Sequence, residues 1–126
     1  MSKLRSGYVL ALVPVLLAVA LHFYEHVALS DNGFSLGFFL WAVMPYGLCV
    51  AGLAMSWNPL SVGFAATVAL AFDLLAHHSV FIHPTNSTAP LILLFMPLYN
   101  AVLWIPAAML LAHLARRWLA NSERHL

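Results

Sequence analysis

Charge is what this chain has least of. Nine of its 126 residues are Asp, Glu, Lys or Arg, 7% of the total, against about a quarter in a soluble domain. So little charge cannot dress a water-facing surface. The 63% of residues drawn from Ala, Val, Ile, Leu, Met, Phe, Trp, Tyr and Cys excludes a disordered chain as well. Cysteine is nearly absent: Cys49 stands alone, which excludes an internal disulfide, a Cys-x-x-Cys redox pair and a Cys-x-x-Cys-His haem attachment. No Walker loop, Gly-x-Ser-x-Gly elbow, Rossmann glycine pattern or Cys/His finger spacing occurs. A net charge of +1, with the basic residues at the two chain ends, offers no nucleic-acid face. What remains is an integral membrane protein, one transmembrane domain over 1–126, with the lipid bilayer as its first partner.

A crossing helix needs about 20 mostly apolar residues, and four stretches qualify, near 8–29, 36–57, 60–82 and 90–115. The breaks carry turn chemistry in Ser30-Asp31-Asn32-Gly33, Ser56-Trp57-Asn58-Pro59 and His83-Pro84-Thr85-Asn86-Ser87-Thr88. Asn86-Ser87-Thr88 fits a glycosylation sequon and reads here as a turn and helix cap. Connections this short predict an all-α, up-down four-helix bundle with consecutive helices antiparallel. Lys3, Arg5, Arg116, Arg117 and Arg124 all lie at the termini, so the positive-inside bias puts both termini in the cytoplasm and the first and third loops outside. Lys3 and Arg5 before an apolar run ending in Ala18-Val19-Ala20 also match a signal peptide. The run continues to Leu29, which predicts a retained span. Pro14, Pro45, Pro97 and Pro106 fall inside spans, where each removes a backbone hydrogen bond. Gly47 and Gly52, with Ala51 and Ala54, predict close helix approach on the second span.

Polar residues inside spans are costly, at least ~2.5–3.5 kcal/mol for a charge at the bilayer centre. His22, Glu25 and His26 occupy the last two turns of the first span, and Asp73, His77 and His78 the last three of the third; both groups lie at the same outer depth. His83 follows in the loop, and Tyr99 and Asn100 of the fourth span reach a similar level. On a helix His22 and His26 are about 40° apart, with Glu25 about 60° to the other side of His22. All three share a face. Asp73 and His77 repeat the i,i+4 relation, while His78 is turned about 100° away.

His22-Phe23-Tyr24-Glu25-His26 matches His-x-x-Glu-His, in which two histidines bind zinc and the glutamate activates water. No soluble peptidase architecture surrounds it, so it counts as a face able to ligate metal. The ligand set is then His22, His26, His77, Glu25 and Asp73, with His78, His83, Asn100 and Tyr99 as supporting or mouth residues. Imidazole with carboxylate suits zinc, iron, copper or manganese. A bis-histidine haem, a proton or quinone relay, and a network that only ties helices together are the other readings. Asp73 separates them. As a ligand or its orienter, Asp73→Asn loses roughly tenfold in metal affinity; as helix glue, it costs no more than ~1 kcal/mol.

The segment Pro84 to Asn100 reads Pro-Thr-Asn-Ser-Thr-Ala-Pro-Leu-Ile-Leu-Leu-Phe-Met-Pro-Leu-Tyr-Asn. It resembles a stretch of small uncharacterised bacterial multi-pass inner-membrane proteins that carry a Pro-x-Ser-Ser-Thr-Ala loop, then an apolar run ending in Phe-x-Pro-Leu-Tyr. Asn86 stands where that pattern has Ser. The resemblance implies the bacterial inner membrane and a fourth span, and brings no activity with it.

Two function classes follow. One is a metal- or redox-cofactor-binding membrane protein with its His/Glu/Asp cluster at the outer face. The other is a non-catalytic partner: an assembly subunit of a larger membrane complex, a toxin-immunity protein, or one member of a homo-oligomer. Either way, reporter fusions after Asn32, Asn58, Asn86 and Leu126 are expected to read out, in, out, in. A reversal between Asn32 and Asn86 removes the shared outer layer.

Overall fold

The first helix runs further than the apolar stretch that predicts it. A computed structural model describes residues 2–29, 31, 33–84 and 87–125; the chain is 88% helix, with no strand among the described residues. Helix α1 spans Ser2–Ala28, α2 Leu36–Ala54, α3 Pro59–His77, α4 Ala89–Tyr99 and α5 Ile105–Arg124. A π-helical turn, His78–Ile82, prolongs α3, and a second, Asn100–Trp104, joins α4 to α5 as one rod. The result is four rods long and apolar enough to cross a membrane. The four rods fall over the four apolar stretches, with α1 starting at Ser2 and the last rod ending at Arg124. That rod's 36 residues make about 54 Å of helix against a hydrocarbon core of about 30 Å. Ser30 and Asn32 of the first expected turn, and Thr85 and Asn86 of the third, with the cap and sequon read at Asn86, lie outside the described residues.

The middle connection shows why the second helix stops where it does. Ser56 takes a left-handed φ of 64°. Its N–H bonds the Leu53 carbonyl at 3.1 Å, and the Trp57 N–H bonds that of Gly52 at 2.9 Å. These are the paired bonds of a Schellman ending, and the Trp57 ring folds back onto Gly52. Helix α3 then opens on the expected Asn58-Pro59: the Asn58 side chain accepts from the Ser61 N–H at 3.1 Å, and Pro59 takes a first-turn position that needs no N–H.

Packing departs from a square up-down bundle, in which α1 and α3 are diagonal. Here α1 packs more extensively on α3 than on α2, and α3 also touches α2, α4 and α5. Small side chains are the reason. Ala11, Val15 and Ala18 of α1, and Val62, Ala66 and Ala69 of α3, are buried at alternating four- and three-residue steps, the seam of two helices crossing at a shallow angle. The two run parallel in constant register, Gly7 beside Pro59 and Gly63 beside the Ala11 backbone. Close approach therefore occurs here and not at the expected glycines of α2. A β-carbon on Gly47 meets nothing within 4 Å, and Gly52 is covered by its own turn.

Both features of that turn can be measured. Gly52→Ala drives a methyl into the Trp57 ring and is expected to cost about 1–3 kcal/mol. Ser56→Gly relieves the left-handed backbone and is expected to stabilise by about 1 kcal/mol. Denaturant unfolding of the solubilised protein reads both; equal and negligible effects contradict the turn.

Candidate functional site

The α1–α3 seam changes character toward the end bearing the 29–35 and 83–88 loops. Its next positions are His22 and Glu25 on α1 and Asp73 on α3, all buried. His22 sits between the two carboxylates: Nδ1 lies 2.8 Å from Glu25 Oε2 and Nε2 lies 3.0 Å from Asp73 Oδ2. Glu25 Oε1 lies 2.8 Å from His77 Nδ1. The Tyr46 hydroxyl of α2 donates to Asp73 Oδ2. Asn100, at the start of the second π turn and wholly buried, donates from Nδ2 to Asp73 Oδ1 at 2.8 Å. All four rods thus contribute to one unbroken line of contacts, His77–Glu25–His22–Asp73–Tyr46, with Asn100 at its buried end.

A ring nitrogen and a carboxylate oxygen cannot meet at these distances lone pair to lone pair, so each of the three imidazole–carboxylate contacts holds a proton. With the protons on the rings, His22 is an imidazolium donating from both nitrogens and His77 donates from Nδ1. The two carboxylates and His22 then sum to −1, and a second proton, on His77 Nε2, brings the group to neutrality. No Lys or Arg shares in this balance, because all of them lie near the chain termini, at the opposite end of the bundle.

Beside the network lies a cavity of about 410 Å³, bounded by α1, α2, the end of α3 and α4. His22, Glu25 and Asp73 line it on one side, and Phe38, Trp41, Phe81, Leu93, Met96 and Pro97 supply its apolar walls. It reaches Leu29, Gly33 and Ser35 of the first loop region. The Trp41 indole N–H is committed to the Leu94 carbonyl at 2.8 Å, which ties α2 to α4 across this space. No family model, curated protein or solved structure matches the chain.

Of the expected ligand set, the structure brings together His22, Glu25, Asp73 and His77. Their donor atoms face one another in sequence and do not converge on a common centre; among the described residues no three His, Cys, Asp or Glu side chains are grouped to hold a metal ion. His26 stands apart from the line. Its Nδ1 donates to the His22 carbonyl at 2.7 Å and its ring abuts Phe39 edge-on, although it lines the cavity. In the His-x-x-Glu-His run, His22 and Glu25 thus bond each other while His26 bonds a backbone carbonyl. His78 and His83 are exposed and lie ring to ring, 5.2 Å apart. Tyr99 is 55% exposed, turned away from Asp73, so of the fourth-span pair only Asn100 joins the site.

Tyr46 is the member that sequence reasoning missed. It follows Pro45 in a uniformly apolar span, but Ala42, Tyr46, Cys49 and Leu53 are buried at the same four-three spacing as the other seams. A phenol on that seam was the available signal. Asn100 reaches Asp73 from the π turn that follows Pro97. The turn's last residue, Trp104, stacks on Phe72 of α3 with ring centroids 4.0 Å apart, fixing that segment against the helix that carries Asp73.

Three donors converge on Asp73, so the small cost expected of asparagine if the network only ties helices together is too low. An amide keeps one acceptor and turns N–H groups toward groups that already donate. Asp73→Asn is expected to cost about 3–5 kcal/mol, the loss of a buried charge partner, and Tyr46→Phe about 1–2 kcal/mol. Unfolding measurements giving Asp73→Asn less than Tyr46→Phe contradict the donor assignment.

Proposed function

We propose that the chain is a small polytopic protein of the bacterial inner membrane, both termini in the cytoplasm, that stores and shares protons in a relay near its outer face. The five basic residues at the termini support the orientation. One observation carries the relay: the line from His77, whose side chain is 15% exposed, through Glu25, His22 and Asp73 to fully buried Tyr46. A proton arriving at His77 Nε2 allows the Nδ1 proton to move to Glu25 Oε1, and the His22 Nε2 proton can move to Asp73 Oδ2, which leaves His22 neutral with its proton on Nδ1. One added proton is thus stored and shared while the side chains keep their places.

The line has an end. Toward the termini the seams continue as Cys49, Leu53, Val62, Ala65, Ala66 and Ile105, which form the apolar core. None of these passes a proton in a dry interior. The relay is thus a loading site open to one side and not a conduction path.

An acid-minus-base infrared difference spectrum of the protein in bilayers tests this. Imidazole and carboxylate bands are expected to change together, and the response is expected to disappear in His77→Ala. Vesicles holding the protein are expected to be no more permeable to protons than empty ones. No spectral response means that the network only ties helices together. A proton leak removed by His22→Ala makes it a channel. Stoichiometric zinc, iron, copper, manganese or haem in protein purified without chelator replaces the relay with coordination.

A further inference from the structure

We infer that the cavity beside the relay binds an organic cation, an amine or quaternary ammonium with a compact apolar body, and that its arrival expels a proton from the relay. The inference rests on the relay reading above and names its ligand.

Charge balance comes first. Glu25 and Asp73 line the cavity without Lys or Arg beside them, so only protons on His22 and His77 offset their charge. A guest that takes over part of that task must be positive. When it enters, one proton leaves for water and the net charge of the site is unchanged.

Hydrogen-bonding capacity points the same way. The polar side chains on the cavity are His22, Glu25, His26, Ser35, Trp41 and Asp73. Both His22 nitrogens are engaged with carboxylates, and the Trp41 N–H is engaged with Leu94. His26 Nδ1 donates to a backbone carbonyl. Glu25 has a further lone pair on each oxygen. Among the side chains, the charged acceptors are Glu25 and Asp73, so an anionic guest meets two carboxylates.

The walls select among cations. Phe38, Trp41 and Phe81 are aromatic, with Leu93 and Met96 between them. Such rings attract a cation that sheds its water readily and penalise one that holds it. The volume of about 410 Å³ falls within the ~300–1,000 Å³ range of small-molecule sites, far more than a bare metal ion fills. Of the titratable groups, His22, Glu25, His26 and Asp73 line the cavity; Tyr46 of α2 and His77 of α3 bond these carboxylates from behind, Tyr24 of α1 packs on His77, and Cys49 of α2 is buried one turn below Tyr46. Helix α4 contributes none. Cation and proton therefore compete for the same two carboxylates, and acidification weakens binding.

The full-length protein in discs of phosphatidylcholine, titrated calorimetrically with benzyltrimethylammonium in buffers of different ionisation heat, tests the inference. Empty discs give the baseline. Saturable binding is expected, with up to one proton released per cation and weaker affinity in acid. The carbon isostere neopentylbenzene is expected to bind at least tenfold more weakly. Trp41→Leu, a change at a side chain 37% exposed, is expected to weaken the cation at least fivefold. Equal binding of the neutral isostere, binding without proton release, or displacement of the probe by sodium ions overturns the inference. So does the absence of saturable binding in a protein that keeps its infrared response, and the relay then survives alone. A wild type without that response fails at the earlier step, whatever it binds.

Discussion

Two carboxylates are buried between apolar helices, and the chain places no lysine or arginine near them. Most of what distinguishes this structure follows from that constraint. A buried carboxylate without a partner costs several kcal/mol, and the only cations within reach are protonated histidines. His22 is placed to serve both acids at once, 2.8 Å from Glu25 and 3.0 Å from Asp73. Glu25 takes a second ring, His77, and Asp73 takes a phenol and an amide. Because each rod supplies at least one of these groups, satisfying the two acids also fixes how the rods meet.

The packing makes this possible. Alanines at the α1–α3 seam let the two helices close tightly, and the same seam, continued toward the loops, carries His22, Glu25 and Asp73 in place of small residues. Tight apolar packing on the terminal side seals the polar group from that direction. On the loop side, α2 and α4 stand far enough apart to leave the cavity, with Trp41 bridging them. The hydrogen-bonded group therefore has apolar packing on its terminal side and a cavity on its loop side. One acceptor, Asn100 Oδ1, has no hydrogen-bond partner although its residue is wholly buried. Reversing the amide would set that oxygen against the Asp73 carboxylate, so the donor orientation is the less costly of the two.

Much of this was legible in the sequence, for reasons that can be named. Four apolar stretches with little charge predicted the four rods, which are long and apolar enough to cross a membrane, because a span of that kind has to be apolar over about 20 residues. The shared depth of His22, Glu25, Asp73 and His77 followed from span direction alone. Side-chain direction was harder. His26 has the right spacing to join His22, yet a backbone carbonyl one turn back was nearer than any carboxylate. Tyr99 and Asn100 are adjacent in sequence, so a helix had to turn one of them away. Tyr46 lay in a span with no other polar neighbour on its face, and only the seam spacing marks it. The direct α1–α3 contact was the least legible feature. Connectivity favours neighbours in the chain; the polar faces that the first and third spans carry at one depth and the matched run of small residues both point to the exception.

The central claim is that one imidazolium bridges both carboxylates. Nitrogen-15 NMR of histidine-labelled protein in bilayers, with His22 assigned by substituting the other six histidines in turn, addresses it most directly. The account predicts protons on both ring nitrogens of His22 in neutral medium, each shifted by a strong hydrogen bond. A bare nitrogen on that ring, or a nitrogen coupled to a metal, would contradict it.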